Sequence, residues 1–396
     1  MDIVYGAAVK ERPATHADEG MKSPAAASRA PWKLQRKGLL LTQYGRLGSS
    51  SRVRCYQYLD YLESRGWQFV IEPLFGNDYI QGLYWGRISY WAVIRAYARR
   101  LRLLFGRERY DLIWLQREAL PWFPAWIETA LLRGRAPVVV DLDDAWFHRY
   151  DLHRRRVVRW LLSDKVDRIV RHARLVIAGN AYLAERMRVA GAPSVEQLPS
   201  VVDVLEYRPK AAGQIQGAGL VIGWIGSPAT AHYLAAIGSV LRDFVQESGA
   251  HVVSVGARKD QLSGLPVEFR PWSEETEADE IRRFDIGIMP LPDAPFERGK
   301  CGYKLIQYMA AGIPVVASKV GANASIVRDG VDGFLVSSPA EWLTALRTLS
   351  GDSGLRERMG ASGRKRAEEH FSLQCAAPRL EQMLSSVASV PGGDVT

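Results

Sequence analysis

The feature that most restricts this chain is an alternation that stops and then starts again. Short apolar runs at 37–44 (KGLLLTQY), 67–74, 110–116, 136–144 and 173–180 are separated by segments of helical period. Strands alternating with helices predict a parallel sheet covered on both faces. The pattern breaks at YRPKAAGQIQGAG (207–219), rich in Gly, Ala and Pro and without an apolar period, which is the composition of a linker. It restarts at 220–227, 251–257, 284–291, 313–318 and 333–336. The expected fold is therefore α/β: two Rossmann-like, doubly wound halves at 37–210 and 220–371, joined by a linker at 211–219. A final helix is expected within 372–390. Residues 1–36, rich in Ala, Pro and Ser and without an apolar h-region, read as a disordered tail and not as a secretory leader.

The 396 residues suit two domains. A net charge of +9 points to an anionic partner: nucleic acid, an acidic membrane surface or a phosphorylated substrate. The three cysteines, Cys55, Cys301 and Cys375, are far apart and form no C-x-x-C pair. That suits a reducing cytoplasm and speaks against a structural zinc site. No apolar run approaches the ~18 residues that a membrane span needs.

Ligands of open parallel sheets bind beyond the carboxyl ends of the strands, and four such loops carry unusual chemistry. In QYGRLGSSSR (43–52), Gly45 and Gly48 allow close backbone approach and Arg52 follows at a helix start. The loop is either a phosphate or acceptor cradle or an ordinary flexible turn. In GWIGSPATAHY (223–233), Gly226 ends a strand, and Ser227 and Thr230 are placed to cap the next helix. In ERGKCGYKLIQYMAAG (297–312), Gly299 and Gly302 bracket a loop; Lys300, Tyr303, Lys304 and Gln307 gather at a helix N-terminus. Two lysines beside the positive end of a helix dipole repel it unless an anion joins them. In VVVDLDDAWFH (138–148), Asp141, Asp143 and Asp144 end a strand. They could chelate a divalent cation, supply an aspartyl nucleophile, bind sugar hydroxyls or cap a helix. Two basic amphipathic stretches, 90–105 and 153–162, fit either an anionic membrane surface or arginines in water.

The stretch GKCGYKLIQYMAAGIPVVASKVGANASIVRDGVDGFLV resembles the signature region of family 4 retaining glycosyltransferases of the GT-B fold, in a bacterial subgroup with a GKxxxKxxQYMAxGxPVVAS motif. The likeness extends over IGWIGSPAT, FDIGIMPLPDAPFERGK, VVVDLDDAWF and VIAGNAYLAERM. It implies two Rossmann-like domains facing a cleft and sugar transfer from a nucleoside diphosphate sugar, a co-substrate and not a cofactor, with retention and without a metal. The donor would meet the C-terminal half and the acceptor the N-terminal half, with the final helix crossing back. Lys300, Lys304, Glu297, Asp144 and His148 become the candidate catalytic residues. Gly226, Ser227, Thr230, Trp272, Gly302, Tyr303 and Gln307 become donor-binding, and Gly45, Gly48, Arg52 and Asp143 acceptor-side. The family usually has two glutamates with seven residues between them; here Gly299 and Gln307 stand at those places. The expected acceptor is a lipid-linked glycan, a polysaccharide or a small molecule. The expected location is the cytoplasm, at the inner face of a membrane, and nucleic acid is not an expected partner. Two alternatives stay open: a non-catalytic binder of sugar nucleotides, and a metal-dependent phosphatase or transferase that uses Asp141 and Asp143.

Overall fold

The computed structural model describes residues 35–84, 89–209 and 219–388. The expected tail and linker lie almost wholly outside them. Twelve strands form two sheets among the described residues. In the first half these are β1 (Arg36–Tyr44), β2 (Trp67–Phe75), β3 (Leu112–Gln116), β4 (Val138–Leu142), β5 (Leu175–Ala178) and β6 (Val195–Gln197). In the second they are β7 (Val221–Ile225), β8 (His251–Val255), β9 (Val267–Arg270), β10 (Ile286–Met289), β11 (Val315–Ser318) and β12 (Gly333–Val336). The sheet orders are β2-β1-β3-β4-β5-β6 and β12-β11-β10-β7-β8-β9. Every ladder is parallel.

Nine of the helices, numbered among themselves in chain order, build the site and the surface beside it: α1 (Ser49–Arg54), α2 (Tyr90–Phe105), α3 (Ala125–Leu132), α4 (His148–Asp151), α5 (Arg156–Leu162), α6 (Lys165–His172), α7 (Pro295–Arg298), α8 (Tyr303–Ala310) and α9 (Leu373–Ala388). Among the described residues no helix is long and apolar enough to cross a membrane.

Parallel strands buried on both faces need continuous apolar runs, and the period of two then sends alternate residues to opposite cores. Leu39 and Leu41 of β1 join Ile113, Leu115 and Val140 on one face of the first sheet. Leu40 joins Trp114, Val139 and Ile177 on the other. That second face is closed by Leu380 and Leu384 of α9, so the last helix completes the core of the first half. β6 and β9 were not expected as strands. Both are edge strands, with no fully buried residue, so no apolar run marks them.

The first core also contains charge. Lys165 of α6 is fully buried, 2.5 Å from Glu118 and 3.4 Å from Glu128. Glu118 also accepts from Tyr150 (2.8 Å) and Trp146 (2.9 Å). Glu128 accepts from the Ala119 and Leu120 amides, although burial still raises its carboxyl above the usual range. Buried ions are tolerated only when paired and hydrogen-bonded, and removing one partner strands the other. Lys165→Met is therefore expected to cost about 3–5 kcal/mol in urea unfolding. Adding Glu118→Gln and Glu128→Gln should restore much of that loss; no recovery would mean that the lysine acts by packing alone.

Candidate active site

At the sheet positions where strand order reverses, between β1 and β3 and between β7 and β10, connecting loops part and leave a crevice at the carboxyl ends. In the second half this crevice is lined by Trp224, Thr230, Tyr233, Leu291, Lys300 and Lys304. Gly302 turns the chain into α8 with φ +63°, and a Cβ there would lie 2.3 Å from Ile326. Glycine alone meets both conditions. Lys304 thereby falls in the first turn of α8, its ammonium 5.4 Å from the Trp224 ring centre. Burial, followed by the charge of Lys300, pushes the Lys304 ammonium down to about 8, with Asp144 opposing. Lys300 lies 5.6 Å from the ring centre of Tyr233, and the Tyr233 hydroxyl donates to Glu297 on α7 at 2.6 Å.

The first half supplies the carboxylates. Asp141 is 1% exposed and bound by Arg54 through both oxygens, at 2.8 and 3.0 Å. Both of its oxygens are thus taken by Arg54. Asp143 is held by Arg117 at 2.8 Å. Burial opposes its ionisation, but Arg117 and the Ser50 hydroxyl hold its carboxyl below the usual range. Its carboxylate is thus engaged within the first half. Asp144 is the one with a free flank: 3.7 Å from Lys300 and 3.4 Å from Arg117. Burial raises its carboxyl above the usual range, Lys300 opposes and Asp143 adds to the rise. Arg117 adopts φ +66°, a left-handed conformation that costs a non-glycine residue on the order of 1–3 kcal/mol. Its guanidinium bonds Asp143, Asp144 and Ser50, contacts that offset the strain.

The two halves meet at this point. The Asn180 amide donates to the Gly299 carbonyl at 2.8 Å, and the Cys301 thiol lies 3.0 Å from the Asp143 carbonyl oxygen. A Cβ on Gly299 would lie 2.4 Å from the Ala145 Cβ and 2.6 Å from its backbone nitrogen. No side chain fits there while the loops touch, which is the physical reason glycine occupies a position where the resembled family has glutamate. A second bridge joins Arg46 to Glu274 (2.8 Å) and Arg52 to Glu277 (3.3 Å). Arg52 lies 4.8 Å from the Trp272 ring centre, and the Trp272 indole donates to Glu277 at 2.9 Å. The Arg52 Nη1 is buried without a hydrogen-bond partner, 3.8 Å from Glu274.

Other sequence candidates are placed differently from expectation. Neither Ser227 nor Thr230 caps a helix amide through its side chain; the segment opens as a 3₁₀ turn at Pro228, and the Thr230 hydroxyl donates back to the Ser227 carbonyl at 3.0 Å. Gly226 lies against Trp224 and Lys304 and leaves no room for a side chain. Gln307 is 2% exposed and its amide donates to the Tyr207 hydroxyl at 2.9 Å. The Tyr207 hydroxyl also meets that of Tyr303, and the charge of Arg52 acts on both. Both nitrogens of His148 are engaged, with Asp151 and the Tyr182 hydroxyl, each at 2.9 Å. Among the described residues it makes no hydrogen bond or ion pair with Asp144, Lys300 or Lys304. Gly45 and Gly48 are packed against Asn77 and Tyr44, Gly48 preceding α1. Arg117, Tyr233 and Asn180 were missed. The position of Arg117 and Asn180 just past the strand ends of β3 and β5 was the available signal; Tyr233 lies in the helix that follows β7.

Comparison with known proteins agrees with this geometry. Residues 51–199 match the family described as glycosyl transferase 4-like domain, and 219–352 match glycosyl transferases group 1. Two glycosyltransferase family models thus match successive parts of the chain, whose fold is of the GT-B kind. The group 1 domain holds Lys300 and Lys304; the 4-like domain holds Asp144. D-inositol 3-phosphate glycosyltransferases are among the curated relatives. That of Streptomyces bingchenggensis is 36% identical over 105 residues, 26% of this chain and 22% of the relative. That of Geodermatophilus obscurus is 31% identical over 140 residues, 34% and 29% respectively. The chain thus aligns with less than a third of these relatives' length. Two structures share the fold at low identity. Anabaena Alr3699/HepE in complex with UDP and glucose has a TM-score of 0.65 at 18% identity, covering 89% of this chain and all of that one. Sucrose-phosphate synthase from Thermosynechococcus elongatus has a TM-score of 0.66 at 16% identity, covering 89% and 98%.

The GT-B cleft has two testable consequences. Lys304 titrates near 8, so an anion that needs its ammonium form binds best below that pH and is lost as pH rises through it. Affinity for sulfate, an anion that does not itself titrate in this range, should fall roughly tenfold between about pH 7.5 and about pH 9.5 by calorimetry, and Lys304→Met should be weaker and flat. A wild-type profile that stays flat refutes an anion contact at Lys304. Gly299→Ala should part the loops at Ala145 and enlarge the radius of gyration by X-ray scattering; an unchanged radius would show that the contact is soft.

Proposed function

We propose that the chain transfers a sugar from a nucleoside diphosphate sugar to a hydroxyl acceptor with retention of configuration and without a metal. The observation that carries this reading is the convergence of Lys300, Lys304 and Asp144 in one crevice between the two halves. Two ammonium groups and the first-turn amides of α8 form a positive site for a diphosphate. The bond from the anomeric carbon to the diphosphate breaks, the acceptor oxygen bonds to that carbon on the same face, and the acceptor proton passes to the departing phosphate oxygen. Lys300 and Lys304 neutralise the charge that develops on the leaving group. Asp144 orients the acceptor hydroxyl, and Glu297 with Tyr233 meets the sugar hydroxyls. Trp272 and Tyr303 flank the nucleoside end. The acceptor is a lipid-linked glycan or polysaccharide, met in the cytoplasm.

The second reading, a binder that does not turn over, is favoured by the tie between Gln307 and Tyr207 and by Gly299. Incubation with UDP-, GDP-, ADP- and TDP-sugars, followed by assay of freed nucleotide, separates the two. The expected result is release from one donor, reduced ~100-fold or more by Lys304→Ala and by Lys300→Ala, and little altered by EDTA. Tight donor binding without release, with a pool of lipid-linked acceptors supplied, would establish the binder instead.

A further inference from the structure

The first half carries an apolar surface that its own core does not require. Helix α2 already packs Tyr97, Leu101 and Leu104 inward. Its outward face nonetheless presents Trp91, Ile94 and Phe105, with Trp91 73% exposed. Helix α5 repeats this with Val157 and Trp160, the latter 82% exposed. Between them Trp122 and Trp126 stand out from the turn before α3 and from α3 itself, Trp126 at 64% exposure. These segments adjoin. The Tyr97 ring lies 5.4 Å from Phe123, and Trp122 packs on Tyr150 and His153, at the α4–α5 junction.

The charge on this surface is uncompensated. Residues 89–105 and 152–162 contain no Asp or Glu. Elsewhere exposed arginines hold carboxylates: Arg258 with Asp260, Arg298 with Asp293, Arg347 with Glu247. Arg95, Arg102, Arg154, Arg155 and Arg156 are exposed, and none of them has a carboxylate partner among the described residues. Like charges gathered without counter-ions repel one another, and an anionic surface relieves the repulsion. Tryptophan, apolar with one polar edge, suits the boundary between headgroups and acyl chains.

We infer that α2, the 121–126 turn and α5 form a docking face for an anionic lipid bilayer, tryptophans entering the headgroup boundary and arginines meeting lipid phosphates. The apolar side chains project from three separate elements with arginines among them, an arrangement a deformable bilayer accommodates and a rigid protein groove does not. The face lies close to the proposed acceptor side: Trp122 packs on Tyr150, which shares Glu118 with Trp146, two residues beyond Asp144. A docked molecule therefore receives its acceptor from the membrane. That last step rests on the proposed transfer reaction; the docking does not.

The test sediments the full chain with vesicles of equal parts phosphatidylglycerol and phosphatidylcholine, and with phosphatidylcholine alone. Binding to the anionic vesicles is expected, weakening steeply with added salt. Each charge removed in Arg154→Ser, Arg155→Ser and Arg156→Ser should cost roughly fivefold in partitioning. Trp91→Ser with Trp160→Ser should abolish binding and leave UDP affinity intact. Brominated lipid should quench the tryptophan emission of the wild type. Three results would overturn the inference: no sedimentation with anionic vesicles; equal binding by the variants; or a dimer in ultracentrifugation, or an oligonucleotide complex, that the tryptophan variants dissolve while vesicles bind nothing. Loss of UDP binding with vesicle binding intact would count against the transfer reading and leave the docking face standing.

Discussion

The loop after β4 and the loop before α8 touch, and the rest of the site depends on that contact. Ala145 sits where a side chain on Gly299 would be, the Asn180 amide holds the Gly299 carbonyl, and Asp144 comes within 3.7 Å of Lys300. A carboxylate from one half thereby faces two ammonium groups from the other. The charges are not balanced: Lys300 and Lys304 repel each other, one acid serves both, and burial together with Lys300 drives Lys304 down to about 8. Such a site is poised to take up an anion, because a diphosphate relieves the repulsion and supplies charge that the protein leaves missing.

Around this imbalance the protein is careful with charge. Asp141 is neutralised by Arg54, Asp143 by Arg117, and Glu118 with Glu128 by Lys165. Every member of these groups also has a hydrogen bond, Lys165 to the Leu120 carbonyl and the two glutamates from amides, Trp146 and Tyr150, which is what lets ions persist in a low-dielectric interior. Their placement has a consequence for the site: Asp141, Asp143 and Asp144 all come at the end of β4, and the first two are fixed by arginines so that only Asp144 keeps a free flank. The left-handed conformation of Arg117 belongs to the same arrangement, since its guanidinium reaches Asp143, Asp144 and Ser50 from there.

Much of the fold could be read directly because parallel strands advertise themselves. The runs LLL in β1 and VVV leading β4 have no polar alternation, as burial on both faces demands. The edge strands β6 and β9 lacked such runs and were missed. Lys300 and Lys304 were visible because two lysines beside a helix start repel its dipole unless an anion joins them. Arg117 and Asn180 were not visible, since each looks like an ordinary residue just past a strand, and Tyr233 looks like an ordinary helix residue. Gln307 and His148 are polar residues at plausible places whose polar atoms are already engaged by Tyr207, Asp151 and Tyr182.

The amino-acid sequence alone determined the two halves, the strand-end loops and the residues that crowd one helix start, because burial of apolar runs and the geometry of a βα turn are local matters. Which carboxylate faces the lysines was settled only by tertiary structure. Asp141, Asp143 and Asp144 are equivalent as letters. They differ because Arg54 and Arg117 arrive from other parts of the chain to claim the first two, and because the opposite half closes on the third. A charge's role depends on what lies within a few ångströms of it, and for this site those neighbours are distant in sequence.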